Sequence, residues 1–307
     1  MLLQVISADA LVTERLKLQL LKQQKEVKSK MSFDFFKPSN IKEASELLKN
    51  PGYVAVVGGT DTVVKVRGGF YKSLKALVDL NGLFSKEIKV EGDKCIIGSA
   101  CVMNCIAHNQ TIVENFPVLA QAAESVAAEQ IRNVATIGGN VGNSSPVGDT
   151  IPALYALEAE VNIVSGEGKR TVPINEFITG VGRNVLQPGE MIESFAIPMR
   201  KTKGSFQKLG ERKALSISKI NLGLSYWNDG KPHYRIGMGA VAITVLRVTK
   251  AEEFLEAAPH PLSDETIKKA AEFAVETAKP ITDIRSTKEY RKQMAGVLLK
   301  RALEAVK

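Results

Sequence analysis

The residues best suited to chemistry in this chain lie at 132–149, which read Arg-Asn-Val-Ala-Thr-Ile-Gly-Gly-Asn-Val-Gly-Asn-Ser-Ser-Pro-Val-Gly-Asp. Four glycines, three asparagines and three hydroxyl residues sit between apolar segments. Read as a loop, this stretch exposes backbone N–H groups and few bulky side chains. Such a surface suits a diphosphate, because glycine permits close approach and positive φ. Composition alone leaves an ordinary surface turn equally open. A second stretch, Val54-Ala55-Val56-Val57-Gly58-Gly59-Thr60-Asp61, reads as a buried strand broken by two glycines. Thr60 or Asp61 is placed to cap a short helix through Thr62, Val63, Val64 and Lys65. Strand, glycine turn and helix start form a recurrent anion-binding arrangement. Neither stretch has the G-x-G-x-x-G spacing of dinucleotide folds or the G-K-[ST] of nucleotide hydrolases.

Flanking signals indicate how these stretches are held. Asn40 with Glu43 predicts a capping box, Ala44, Leu47 and Leu48 an inward face, and Asn50-Pro51-Gly52 a stop. Residues 77–80 read as a strand, 86–98 as a hairpin around Asp93, and 161–172 as a hairpin around Gly166-Glu167-Gly168. Pro117 starts a helix through Leu119, Ala122, Ala123 and Val126, and Pro152 starts another over 151–157. Beyond Lys201-Thr202-Lys203-Gly204, a domain boundary by composition, strands are expected near 205–208, 218–227 and 234–242. Helices are expected near 264–278 and 287–306, the last with Tyr290, Met294, Val297, Leu298 and Arg301 on one face. Residues 11–25 could form a helix.

Bulk properties narrow the function classes. The chain has 307 residues, 44% hydrophobic and 24% charged, as expected of a globular protein of about two domains. No apolar run approaches a membrane span. The net charge of +8 invites a nucleic-acid reading. However, residues 1–30 hold six basic and three acidic residues and residues 281–307 seven basic and three acidic, so the middle of the chain is close to neutral. Two charged helical termini argue against a basic nucleic-acid groove. Cys95, Cys101 and Cys105 are too few for a disulfide framework and point to a reducing cytoplasmic setting. They also fall short of the four ligands an iron–sulfur cluster normally takes, so buried or incidental thiols are expected. His108, His233 and His260 lack metal-ligand spacing.

The two glycine stretches, with Gln130-Ile131-Arg132-Asn133, Lys208 and Arg212, Gly239-Ala240-Val241-Ala242 and Glu289-Tyr290-Arg291, resemble the flavin-binding medium subunit of the molybdenum hydroxylases. These include xanthine, carbon monoxide and nicotinate dehydrogenases and 4-hydroxybenzoyl-CoA reductase. The matches follow the family's order from about Phe33 to the C-terminus. The resemblance implies an α+β fold. Its first domain would be a two-part FAD-binding domain of the vanillyl-alcohol-oxidase (PCMH) type over residues 31–203, with parts at about 31–85 and 86–203. A small α+β C-terminal domain of the CO-dehydrogenase flavoprotein type would follow over 204–307. Residues 1–30 lie outside the resemblance and read as a disordered extension, a start-site artefact or a docking tail, with the first two favoured.

By the same resemblance the cofactor is FAD. Val57, Gly58, Gly59, Thr60, Asp61 and Thr62 would contact it from one side and Ala135, Thr136, Gly138, Gly139 and Asn140 from the other. Ser144 and Ile192 would complete the site, with Asp149 near ribitol or ribose hydroxyls and Lys208 near the flavin ring. Asp149 could equally cap the helix that follows it, and Lys208 could be a solvated strand lysine. Arg132 is expected to be structural. Valine at Gly138 and Gly139 is expected to abolish FAD retention and leave most of the fold. Two departures, Ala128-Glu129 for the family's Ser- or Gly-Pro and Ser216 for a frequent Asp, put redox tuning in question. The implied partners are a small [2Fe-2S] subunit and a large molybdopterin subunit, as a dimer of heterotrimers, with NAD+ or another acceptor. A stand-alone flavin oxidoreductase and a flavin-less scaffold subunit are the alternatives.

Overall fold

The computed structural model describes residues 33–212 and 214–307, so the helix expected over 11–25 lies outside the described residues. The chain begins with β1 (Asp34–Phe36), α1 (Ile41–Leu48), β2 (Tyr53–Val56), α2 (Thr62–Arg67) and β3 (Ala76–Asp79). The three strands form a parallel sheet in the order β1-β3-β2, and the helices make the crossovers that parallel pairing requires. Asn40 caps α1 by accepting from the Glu43 N–H at 2.9 Å. Glu43 accepts from the N–H and hydroxyl of Ser39, at 2.8 and 2.9 Å, so the expected box closes one residue early.

A hairpin follows, β4 (Ile88–Glu91) and β5 (Lys94–Gly98). Six helices then run in succession: α3 (Met103–His108), α4 (Gln110–Asn115), α5 (Pro117–Glu124), α6 (Glu129–Arg132), α7 (Ile137–Gly142) and α8 (Thr150–Ala156). The chain returns through a second hairpin, β6 (Glu160–Val164) and β7 (Lys169–Pro173). After it come α9 (Ile174–Phe177), the small pair β8 (Ile178–Gly180) and β9 (Arg183–Asn184), and the long β10 (Met191–Pro198). β10 inserts between the hairpins and gives an antiparallel sheet in the order β4-β5-β10-β6-β7. Its buried face, with Ile97 and Phe195, packs on Phe116, Leu119, Ile137 and Leu154 of the helices.

The last part carries β11 (Lys203–Leu209), β12 (Ile220–Asn228), β13 (Pro232–Gly239) and β14 (Leu246–Arg247), antiparallel in that order. Helices α10 (Thr249–Ala257), α11 (Asp264–Thr277) and α12 (Lys288–Val306) complete it. β12 is buried on both faces. Leu222 and Leu224 join the core beneath the three helices. The other face receives α8. A Cβ on Gly223 would lie 2.9 Å from the Ala153 nitrogen, and one on Gly237 would lie 2.5 Å from the Pro152 oxygen. Backbone-to-backbone packing of this kind excludes any side chain. Gly237→Ala is therefore expected to cost about 1–3 kcal/mol, read as a lower urea midpoint with an unchanged slope. An unmoved midpoint would mean that α8 can lift off the sheet freely.

The expected face of the last helix is shifted. Tyr290 is 41% exposed, whereas Arg291, Ala295, Leu298, Leu299, Ala302 and Leu303 are buried. Arg291 tolerates this because its guanidinium donates to Asp283 Oδ1 at 2.7 Å and to the Ile281 carbonyl at 3.1 Å. Among the described residues no helix is long and apolar enough to cross a membrane.

Candidate cofactor site

β2 ends at Val56 and aims the chain into a turn that Gly59 makes possible with φ +67°. Val57, Gly58, Gly59, Thr60, Asp61 and Thr62 line one wall of a cavity of about 480 Å³. Among the described residues, the N–H groups of Gly58 through Thr62 have no hydrogen-bond acceptor in the chain. Five consecutive unpaired donors on a cavity wall call for an anionic or oxygen-rich ligand. Asp61 stands at the N-cap position of α2, yet its side chain makes no cap bond. It pairs instead with Lys65 at 2.8 Å.

The opposite wall carries Ala135, Thr136, Gly138, Gly139 and Asn140. Here the structure corrects the loop reading, because residues 137–142 form α7. Its first N–H groups are already used. Ile137 donates to the Cys101 carbonyl at 3.0 Å, Gly138 to the Ser99 carbonyl at 2.9 Å, and Gly139 to Thr136 Oγ1 at 3.1 Å. Asn140 Oδ1 accepts from Thr150 at 2.7 Å, which leaves its –NH2 without an acceptor among the described residues. This wall therefore offers side-chain donors and a smooth surface. The expected backbone donors come from the first wall alone.

The two walls meet at Gly58, where a Cβ would lie 2.1 Å from the Val134 oxygen. A second tie is Lys65, which hydrogen-bonds Asn143 at the end of α7. Apolar side chains extend the cavity, among them Tyr53, Leu80, Phe84, Val126 and Ile131. Ile192 also lines it, from β10 next to a register shift between Ile192 and Ser194. Such a bulge re-aims a side chain.

Sequence reasoning missed Tyr53, Phe84 and Glu190. An aromatic at the entry of β2 was the available signal for Tyr53. Glu190 reaches the cavity through a long-range pair, with Arg170 Nε and Nη2 each donating to it at 2.7 Å. That guanidinium, with the Gln187 N–H, holds the Glu190 carboxyl below its ordinary value despite burial. The folded-state value is the depressed one. The pair's contribution is thus present above the usual carboxylate range and lost as pH falls through the lowered value. Glu190→Gln should flatten the acid limb of a stability-versus-pH curve. An identical limb in the variant would show that the pair contributes nothing.

Three predicted residues do not line the cavity: Ser144, Asp149 and Lys208. Ser144 is fully buried at φ +52° and accepts from Asn184 Nδ2 at 3.0 Å. Asp149 and Lys208 find each other, at 2.6 Å, with side chains only 11% and 14% exposed. Asp149 also accepts from Ser218 at 2.6 Å and Asn221 at 2.9 Å, while Lys208 donates to the Ser125 carbonyl at 2.9 Å. The cap role for Asp149 is not used, since it makes no side-chain cap bond to α8. Lys208 is not a solvated strand lysine either.

Arg132 binds Glu124 at 2.8 Å and the Val126 carbonyl at 3.3 Å, a structural arrangement. Cys95 is buried in β5, where burial pushes its thiol up to about 11. No group of three or more His, Cys, Asp or Glu side chains is placed to hold a metal ion among the described residues.

The cavity suits FAD by its donor set. A row of backbone N–H groups fits a diphosphate, the asparagine amide and threonine hydroxyl fit its oxygens, and the apolar and aromatic extension fits flat rings. Comparison with known proteins agrees. Residues 31–200 match the family described as the FAD binding domain in molybdopterin dehydrogenase. Residues 206–306 match the CO dehydrogenase flavoprotein C-terminal domain. The nicotinate dehydrogenase FAD-subunit of Eubacterium barkeri is 30% identical over 88% of this chain and 94% of its own length. The carbon monoxide dehydrogenase medium chain of Hydrogenophaga pseudoflava is 29% identical over 89% of this chain and 96% of its own. Among solved structures, carbon monoxide dehydrogenase from that organism superposes with a TM-score of 0.83 at 28% identity, over 89% of this chain and 96% of that one. Reconstituted CO dehydrogenase from Oligotropha carboxidovorans gives 0.84 at 26%, over 90% and 97%. With this α+β fold, a donor-lined cavity and both family domains in order, the chain belongs to the FAD-binding subunits of the molybdenum hydroxylase family.

Proposed function

We propose that this chain is the electron-transfer subunit of a three-subunit molybdenum hydroxylase. It takes electrons from [2Fe-2S] clusters of a small subunit and passes them to NAD+ or another acceptor. Substrate is oxidised at molybdopterin on a large subunit, and the assembly is a cytoplasmic dimer of heterotrimers. The observation that carries this reading is the row of unpaired N–H groups from Gly58 to Thr62, on a wall that the second glycine stretch closes from the other side. Relatives named as a medium chain and as an FAD-subunit, each matched over most of both chains, support it.

In this reading residues 31–203 form the flavin domain, with parts at about 31–85 and 86–203, and residues 204–307 form the C-terminal domain. The backbone of residues 58–62 holds the diphosphate. Thr136 and Asn140 donate from the facing wall, and Gly138 and Gly139 keep that wall low. Val57, Ala135 and Ile192 supply apolar contact. Ser144, Asp149 and Lys208 act from behind the cavity by fixing the segment between α7 and α8. Bound flavin supplies the conversion between single-electron and paired-electron transfer. No side chain of this chain has to do acid–base work for that task.

The purified protein should be yellow, with flavin absorbance that dithionite bleaches. From its native host it should co-purify with an iron–sulfur chain and a molybdopterin chain. A lone chain that oxidises substrate without them would overturn the proposal in favour of a stand-alone flavin oxidoreductase. Colourless protein that takes up no FAD would favour the scaffold.

A further inference from the structure

The flavin reading leaves a surface beside the cavity unexplained. From Thr62 to Val78 the chain carries four basic residues, Lys65, Arg67, Lys72 and Lys75, and no acidic one. Asp61 takes Lys65 at 2.8 Å. Arg67, Lys72 and Lys75 are exposed and form no ion pair among the described residues. Among these cations stand Val63, Val64 and Phe70, at 43%, 63% and 75% exposure. Phe70 is not loose. Gly69 follows α2 at φ +69°, its N–H donates to the Val66 carbonyl at 3.1 Å, and the Phe70 N–H donates to the Lys65 carbonyl at 2.9 Å. The ring lies over Gly68, where a Cβ would meet it at 2.6 Å. An aromatic side chain is thus held out to solvent on a fixed turn. Tyr71, the next residue, lines the cavity, and Val63 stands 3.6 Å from the position that a Cβ on Gly59 would take. The surface therefore borders the wall that carries the unpaired N–H groups.

We infer that this surface docks a small acidic protein that carries one electron at a time, and that such a carrier is the acceptor for the flavin's electrons. The inference rests on the flavin reading and names the acceptor class that it left open. Three unpaired cations around an apolar centre complement carboxylates around an apolar spot on the partner. A nicotinamide dinucleotide fits less well. Small ligands take concave sites, and Arg67, Phe70, Lys72 and Lys75 stand outside the cavity lining. A permanent subunit also fits less well. Permanent interfaces are large and mostly apolar, whereas short-lived electron-transfer encounters are small. Here three of the six side chains, Arg67, Lys72 and Lys75 against Val63, Val64 and Phe70, are charged.

Charge and ring have separate tasks. The cations steer an acidic partner and speed its arrival, an effect that salt screens. Phe70 gives the docked carrier an apolar contact that salt does not weaken. Each visit moves one electron and forms no bond. Reduced flavin holds two electrons, so two oxidised carriers leave reduced, and the protons that accompanied the pair pass to water. A small contact lets the first carrier leave quickly and the second follow.

The test uses the FAD-loaded full chain and an acidic plant-type [2Fe-2S] ferredoxin, with binding read by titration calorimetry. The parent should bind ferredoxin at low salt and lose affinity steeply as salt rises. Lys72→Glu combined with Lys75→Glu should weaken binding about tenfold or more at low salt and flatten the salt dependence. Phe70→Ala should weaken it several-fold at every salt concentration. Both variants should keep full flavin and, once reduced, pass electrons to a small neutral quinone as fast as the parent does. Absence of ferredoxin binding at low salt, or equal affinity in parent and variants, overturns the inference. So does protection of Lys72 and Lys75 from acetylation in the native complex, which would give the surface to a permanent subunit. NAD+ binding that the charge reversal abolishes would give it to a dinucleotide and also overturn the inference. A parent chain that binds ferredoxin but holds no FAD would instead overturn the flavin reading.

Discussion

Asp149→Ala is expected to destabilise the protein by about 3–5 kcal/mol, the cost of breaking one side of a buried ion pair. The carboxylate is the acceptor for three side chains from the C-terminal part: Lys208 at 2.6 Å, Ser218 at 2.6 Å and Asn221 at 2.9 Å. Alanine leaves an ammonium, a hydroxyl and an amide in a site that water reaches poorly. The unpartnered Asn221 Oδ1 is a spare acceptor nearby, but it carries no charge and does not replace the carboxylate for the ammonium. Lys208→Met should cost less, because Asp149 keeps two donors. A double-mutant cycle should return a coupling well above the fraction of a kcal/mol typical of exposed pairs. Urea unfolding measures this. A cost under 1 kcal/mol for Asp149→Ala would mean that water screens the pair. The location matters for function, since Asp149 sits just before α8, and the Ala240 N–H anchors the preceding loop through the Pro146 carbonyl at 2.7 Å.

This cluster also shows where sequence reading stops. Asp149 and Lys208 were both singled out, but as separate ligands of a flavin. Their bond spans 59 positions and no local pattern encodes it. Elements with local start and stop signals were legible. Asn40 and Asn50-Pro51-Gly52 bracket α1, and the Gly-containing turns bracket both hairpins. α10 was missed because its N-cap residue is Val248, which supplies no capping oxygen. The face of α12 was shifted because Arg291 reads as a surface residue until Asp283 is seen beside it. Of the candidate site, the first wall was legible down to its free N–H groups. On the second wall the residues were found, but their conformation was not. Three glycines within six residues argue against a helix on propensity, and tertiary bonds to Ser99 and Cys101 overrule that preference.

The helical conformation of that wall separates the two glycines that sequence reasoning treated alike. Gly139→Val is expected to lower FAD retention by about two orders of magnitude, nearly 3 kcal/mol at 1.4 kcal/mol per decade. The fold should stay intact. A Cβ at Gly139 would meet only Thr136 Oγ1, at 3.0 Å, and otherwise projects into open space on a cavity-lining residue. Its φ is not positive, and valine is no worse than glycine in a helix. The new methyls would stand where the ligand lies. Gly138→Val should behave differently. A Cβ there would lie 2.7 Å from the Ser99 backbone oxygen and 2.8 Å from its Cβ, so the side chain collides with the segment that joins β5 to α3. That variant should be poorly soluble or cooperatively destabilised, and its loss of flavin would say nothing about the diphosphate. Circular dichroism, a thermal melt and the flavin-to-protein absorbance ratio distinguish the two. Gly139→Val protein that melts like the parent and is colourless is the expected result. The same variant carrying full flavin would remove the second wall from the binding site and leave residues 58–62 to hold the diphosphate alone.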